Sequence, residues 1–270
     1  MKVTILGSGQ DGGLPQFGAR HRHDTRAREG DLPERTAASV LVEKEGARLL
    51  LDAGPDLRVQ WWPYEGLPDA IALTHAHMGH YSGLVHLGQE SADAEGIVCL
   101  VTEAMNRFLR GNEPWASLVD SGALIPVPGR RHRWAGMTVQ LVPVPHRSEL
   151  TDAAAISVDG RLLYVPDIDD WNGWPDARAT IARHELAIVD GTFWSPDEIE
   201  RAADVPHPPV PETLRLVEGV RTRVVLTHLN HTNPLCDPTS PEARRVADAG
   251  MEIASDGMVI DLPGEEAGST

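Results

Sequence analysis

THAHMGHYSGL, residues Thr74 to Leu84, places three histidines within six residues directly after the apolar run Ala70-Ile71-Ala72-Leu73. That run reads as a buried strand. Side chains two apart in extended chain face the same way, so His75 and His77 converge while His80 stands on the following turn. Imidazole is the commonest protein ligand for zinc and related ions, which makes this stretch a metal-site signal. Three solvated surface histidines are the plainer alternative, and two observations weigh against it. The cluster follows a core strand, and further donors recur at later strand outlets: His146 after the alternating Val139, Leu141 and Pro143, Asp167 after residues 161–165, and His228 after residues 223–226. Five imidazoles and one carboxylate suit zinc, iron or manganese and are too rich in nitrogen for calcium or magnesium.

Around this centre the chain is ordinary in composition. It has 270 residues, 41% of them hydrophobic, and reads as one domain over residues 1–262 with a short disordered tail, residues 263–270. A formal charge of −16 argues against nucleic acid or an anionic membrane as partner. The basic run Arg130, Arg131, His132, Arg133 reads as a solvated hairpin. No stretch approaches the ~18 apolar residues of a spanning helix, and the start, MKVTILGSG, is too short in its apolar run for a signal peptide. Cys99 and Cys236 imply no disulfide framework, so they read as buried thiols and the expected compartment is the cytoplasm. No heptad or interface pattern indicates an oligomeric state.

Strands are expected over residues 2–6, 37–42, 48–51, 97–102, 124–127, 134–144, 154–158, 161–165, 186–189, 223–226 and 259–262. Helices are expected over 56–62, 82–89, 103–109, 195–201, 211–218 and 241–249. GSGQDGG after the first strand matches G-x-G-x-x-G, yet Gly13, Leu14 and Pro15 stand where a phosphate-binding helix should begin, so it reads as a tight turn. Residues 16–34 read as a long loop. There His21, His23 and Asp24 form a weak second metal pattern, with a solvated loop favoured. Asp52 is either a carboxylate supporting a ligand or a turn residue. His86 reads as facing solvent or packing, Asp169 and Asp170 as loop charges, and the proline-rich residues 205–211 as a surface loop, a plain connector or a lid. Asn230, His231 and Asn233 are candidates for substrate hydrogen bonds or for support behind the ligands, with a turn role for Asn233-Pro234 as the alternative. Trp61, Trp62, Trp171, Trp174 and Trp194 read as core residues or as an aromatic pocket.

The order H-x-H-x-x-H, His146, Asp167, His228 resembles the metallo-β-lactamase superfamily. GSGQDGGLPQ, Ile188 to Trp194, HLNHTNPLCDPTSPEA (from His228) and SDGMVIDL (from Ser255) resemble its pyrroloquinoline quinone (PQQ) biosynthesis protein B branch. The resemblance covers essentially the whole chain. It implies an α/β fold, a four-layer αββα sandwich with metals at one edge of the paired sheets. It also implies that His75, His77 and His146 hold one divalent ion, that His80 and His228 hold another, and that Asp167 bridges them. Two departures stand out. Gly79 occupies the position of the usual aspartate, which leaves the second ion a 2-His-1-carboxylate set. The loop from Phe17 to Asp24 lacks the cysteines that hold a structural zinc in the branch. The chain also keeps His75, His77 and His80, whereas the pathway proteins have a degraded first histidine motif, which points to a relative of the pathway enzyme.

The expected activity is metal-dependent hydrolysis of an ester, lactone, amide or phosphodiester by hydroxide held on one or two divalent ions, zinc first, with iron or manganese as alternatives. Asp167 and His228 are the expected catalytic residues, and the partner is a small-molecule or peptide-derived substrate. An iron-dependent oxygenase acting on an aromatic or peptide-derived substrate is the alternative, and a non-catalytic metal-binding protein the third reading.

Overall fold

The structure is a computed structural model that describes residues 1–147, 149–199 and 205–263. In chain order its strands are β1 (Lys2–Gly7), β2 (Ser39–Lys44), β3 (Ala47–Leu51), β4 (Ala70–Ala72), β5 (Ile97–Val101), β6 (Leu124–Pro128), β7 (Arg131–Trp134), β8 (Met137–Pro143), β9 (Ala154–Val158), β10 (Leu162–Val165), β11 (Leu186–Asp190), β12 (Arg223–Thr227), β13 (Glu252–Ile253) and β14 (Val259–Asp261). Helices are α1 (Arg22–Arg28), α2 (Leu57–Gln60), α3 (Met78–Tyr81), α4 (Glu103–Gly111), α5 (Trp115–Asp120), α6 (Ala177–Ala182), α7 (Val210–Leu216) and α8 (Pro241–Asp248). Among the described residues the strands form two seven-stranded sheets, ordered β14-β1-β2-β3-β4-β5-β6 and β13-β12-β11-β10-β9-β8-β7.

Both faces of each sheet are buried, so the central strands are apolar throughout and divide their side chains by parity. Leu49 and Leu51 of β3, Ala70 and Ala72 of β4, Ile156 of β9, Tyr164 of β10 and Ile188 of β11 fill the space between the sheets. Their neighbours point outward. Leu50, Ile71 and Cys99 meet α4 and α5 through Met105, Leu109 and Leu118. On the other side Leu163, Val165, Ala187 and Val189 meet α6, α7 and α8 through Ile181, Val210 and Val246. These three apolar layers make the four-layer αββα sandwich. The flanking helices begin on side-chain caps: Thr102 accepts from the backbone N–H of Met105 ahead of α4, and Ser240 from that of Ala243 ahead of α8.

Strands β3 to β6 pair in parallel, as do β10 to β13. Their carboxyl ends therefore lie at common edges, and a backbone bond from Ala154 N–H to Thr74 O (3.0 Å) ties the two sheets together beside that edge.

Several local expectations change. Residues 16–34 contain α1, whose first turn is fixed by a capping box in which the His21 side chain accepts from His23 N–H and the Asp24 side chain accepts from His21 N–H. Helix formation after the histidine motif begins earlier than residue 82, at Met78, and continues as a 3-10 turn over Ser82–Leu87. Residues 195–199 form bends and a turn where a helix was expected, and the remainder of that stretch, like positions 264–270 of the expected tail, lies outside the described residues. Trp171 and Trp174 are core residues beneath α6 and α7. Trp61 packs on Tyr64 and Arg48, and Trp62 is 77% exposed.

Ile188 is fully buried between the sheets, whereas Val259 on the edge strand is half exposed. Ile188→Ala should lower unfolding free energy by about 2–5 kcal/mol and Val259→Ala by no more than about 0.5 kcal/mol, as read from urea denaturation midpoints.

Candidate metal centre

Four of the six candidate ligands stand just past a strand. His75 follows β4 through Leu73 and Thr74, His146 follows β8, Asp167 follows β10 and His228 follows β12. The parallel registers Leu51 with Ala72, Val165 with Val189 and Asp190 with Thr227 bring these outlets to one edge. His77 and His80 enter from the start of α3, with His77 at its N-cap.

The donors gather into two sets that share one carboxylate. In the first, Asp167 Oδ2 lies 3.2 Å from His146 Nε2, 3.4 Å from His75 Nε2 and 3.8 Å from His77 Nδ1. In the second, the same oxygen lies 3.8 Å from His80 Nε2 and 3.9 Å from His228 Nε2. Asp11 Oδ1 adds a further atom, 3.7 Å from each of those two nitrogens. Four donors around a cation at ~2.1 Å stand about 3.4 Å apart in a tetrahedron, which is the scale of these separations. Among the described residues, Nε2 of His75, His80 and His228 and Oδ1 of Asp11 are buried and have no hydrogen-bond partner. Buried polar atoms left without protein partners, all aimed at common points, fit divalent ions.

The other ring nitrogens are fixed from outside. His80 Nδ1 donates to Asp52 Oδ2 (2.8 Å) and His146 Nδ1 to Asp169 Oδ1 (2.7 Å). Thr74 donates its hydroxyl hydrogen to Asp52, so its oxygen accepts from His75 Nδ1 (3.0 Å). Thr192 repeats the device, donating to Asp190 Oδ1 and accepting from His228 Nδ1 (2.8 Å). Each anchor holds a proton on Nδ1 and turns the Nε2 lone pair toward the centre. Asp52 and His228 adopt left-handed backbone, φ 59° and 62°, a conformation that costs a non-glycine residue of order 1 kcal/mol or more and persists where surrounding contacts demand it.

Charge follows the same layout. Burial, reinforced by neighbouring His80, holds His75 well below the ordinary histidine value, which favours the neutral ligand form. Burial would also lower His80, yet Asp52, Asp11 and Asp167 outweigh it and raise its pKa to about 9. Asp167 is fully buried, but His207, His146 and His228 hold it ionised, well below the usual carboxylate range.

His207 was expected to be part of a surface loop, a plain connector or a lid. Instead the proline-rich segment folds inward, pinned by Val210 N–H to Phe193 O (2.9 Å), and its imidazole reaches the centre. Its Nδ1 donates to Asp190 Oδ2 (2.7 Å) and lies 3.4 Å from Asp167 Oδ1, while its Nε2 is buried with no hydrogen-bond partner among the described residues. Burial opposes protonation, but Asp190 and Asp167 raise its pKa to about 9. Asp169 likewise departs from the solvated loop charge expected of it, because it anchors His146. Nothing in local periodicity marks His207, Asp190 or Asp11, since none follows the histidine spacing.

The remaining candidates lie off the centre. Asn233 has the turn role: it accepts from Leu235 N–H and donates to the carbonyls of Gly191 and Thr192, steadying the loop that carries Thr192. Asn230 donates to Thr232 Oγ1. His231 binds Asp24 (2.8 Å) and joins His21 in a separate donor group; His23 is turned away from that group, its Nδ1 on the His231 carbonyl. His86 is half-buried beside Trp61 and Trp62, in a groove remote from the centre. Both cysteines are buried in the helix–sheet cores.

A family model described as Beta-lactamase superfamily domain matches residues 47–229. Coenzyme PQQ synthesis protein B of Methylococcus capsulatus is 30% identical, covering 97% of this chain and all of the relative, and its namesake in Methylobacterium radiotolerans is 31% identical with the same coverage. The crystal structure of Zn(2+)-bound PqqB from Methylobacterium extorquens superposes with a TM-score of 0.85 at 26% identity, over 97% of this chain and all of that one. A diphosphatase from the PhnP family shares the fold, with a TM-score of 0.72 at 21% identity over 96% of each chain. With its sheets, its strand-end donors and these full-length relatives in agreement, the chain belongs to the metallo-β-lactamase superfamily, in the branch typified by coenzyme PQQ synthesis protein B.

Proposed function

We propose that the protein is a metal-dependent hydrolase acting on a small-molecule or peptide-derived ester, lactone, amide or phosphodiester. The observation that carries this reading is Asp167 Oδ2, a single carboxylate oxygen within 3.2–3.9 Å of five imidazole nitrogens in two sets. His75, His77, His146 and Asp167 would hold one divalent ion, and His80, His228 and Asp167 the other. Such ions supply hydroxide near neutral pH and polarise the bond to be cleaved.

The chain's own residues provide the rest. Asp52, Thr74, Asp169 and Thr192 hold the ligands in one tautomer, so little reorganisation accompanies binding. Asp190 anchors three elements, accepting from Ile168 N–H (3.0 Å), Thr192 and His207 Nδ1. His207 then carries a proton beside Asp167 and serves as the acid that protonates the leaving group. His77, 22% exposed in its side chain, marks the open rim through which substrate enters.

Protein purified without added metal should carry zinc, and Asp167→Ala should lose metal from both sets and lower hydrolysis of a responsive ester or phosphodiester by roughly 1000-fold, about 4 kcal/mol of barrier. Iron as the dominant metal, with a ferrous form that consumes oxygen, would replace the hydrolase reading with the oxygenase one. His207→Gln should lower kcat by about 10²–10⁴ with metal content unchanged by elemental analysis; loss of metal in that variant would make His207 a ligand. In metal-free protein His80 and His207, raised to about 9, stand above their unfolded value of about 6.5. The stability they contribute is complete below about pH 6.5 and lost as pH rises through about 9. The Tm of chelator-treated protein should therefore fall across that interval, and zinc should restore it most strongly at the alkaline end.

A further inference from the structure

The second residue of α3 is Gly79, and the space a side chain would occupy there is already filled. A Cβ built on Gly79 would lie 1.9 Å from Asp11 Oδ1 and 2.5 Å from Asp11 Cγ. Asp11 comes from the glycine-rich turn after β1, far away in sequence. It is held in place by backbone: Gly9 N–H donates to Thr36 O (2.8 Å), Gln10 N–H to Leu229 O (2.9 Å), and Leu229 N–H to Ser8 O (3.0 Å). That strap runs alongside His228 and directs the carboxylate between His80 and His228. Asp11 Oδ1 and the Nε2 atoms of His80 and His228 are all buried, and none has a hydrogen-bond partner among the described residues. Separations of 3.7 Å are too long for hydrogen bonds and suit three ligands of one ion.

We propose that Asp11 is the second-ion carboxylate of this protein, moved from the start of α3 to the N-terminal turn, so that Asp11 with Gly79 does the work of an aspartate at 79. The proposal rests on reading the centre as a metal site. It gives the second ion His80, His228, Asp167 and Asp11 in place of a 2-His-1-carboxylate set, and it explains why glycine stands at 79, where any Cβ would strike the ligand.

The test is zinc and cobalt stoichiometry by elemental analysis, with chelator competition and the cobalt absorption spectrum, on the full chain as wild type, Asp11→Asn, Asp11→Ala, Gly79→Asp and the double variant Asp11→Gly/Gly79→Asp. Wild type should bind two ions. The two Asp11 variants should keep one and bind the second at least about 100-fold more weakly, with loss of the corresponding cobalt bands. Gly79→Asp alone should disturb the second ion. The double variant should recover it in part, because Asp11 Cα also stands 2.8 Å from the new Cβ and the turn must shift slightly. Asn preserves the shape of Asp11, so a folded Asp11→Asn protein that binds both ions like wild type overturns the proposal, as does a wild type that binds one ion irrespective of residue 11. Neither outcome depends on turnover. A wild type that binds two ions and hydrolyses nothing refutes the hydrolase reading and leaves Asp11 a ligand.

Discussion

The centre depends on one constraint: an imidazole can offer a lone pair to an ion only if its other nitrogen keeps the proton. Four histidines meet it through an acceptor placed behind the ring, Asp52 for His80, Asp169 for His146, and the hydroxyls of Thr74 and Thr192 for His75 and His228. The two threonines can accept because Asp52 and Asp190 take their hydroxyl hydrogens. Both aspartates are fully buried. A buried carboxylate is tolerable only when its oxygens are well supplied with donors, and removing one partner typically costs 3–5 kcal/mol. The two carboxylates therefore bind the local fold and the tautomers of the site into one network.

That network has a matching element in each sheet. Asp52 lies one residue past β3 and serves the outlet of its parallel neighbour β4, while Asp190 ends β11 and serves the outlet of β10 directly and that of β12 through Thr192. Parallel pairing is what makes this possible, since it delivers successive strand ends to one edge at a fixed spacing. Between the two halves stands Asp167, the group that faces both donor sets. The left-handed backbone at Asp52 and His228 shows where the chain bends sharply to serve the centre. The apolar layers on either side of each sheet hold those bends in place.

Much of this was legible in the chain itself. The apolar runs with buried alternation gave the strands, and Gly-Pro-Asn-rich stretches gave most of the turns. His75, His77, His146, Asp167 and His228 announce themselves because each follows an apolar run, a purely local signal. Asp169 was misread as a solvated charge because its distance to His146 is set by the separation of β8 and β10, which no local pattern encodes. Residues 22–28 were misread as loop because α1 is short and polar, held by a His21–Asp24 capping box instead of an apolar stripe. His231, a candidate for substrate hydrogen bonds or for support behind the ligands, follows His228 closely, yet its ring turns to Asp24 on α1, a contact no local pattern encodes.

By itself, then, the sequence determined the layered α/β architecture and the placing of histidines and Asp167 at strand outlets, because strand periodicity and the residues that end each strand are properties of neighbouring positions. The tertiary structure alone decided three things: that the proline-rich loop folds inward to deliver His207, that Asp190 joins Ile168, Thr192 and His207, and that Asp11 fills the space above Gly79. Each is a meeting of side chains from segments distant along the chain. Such meetings are governed by how the two sheets pack and where their connections cross, and the spacing of residues along one segment carries no record of them.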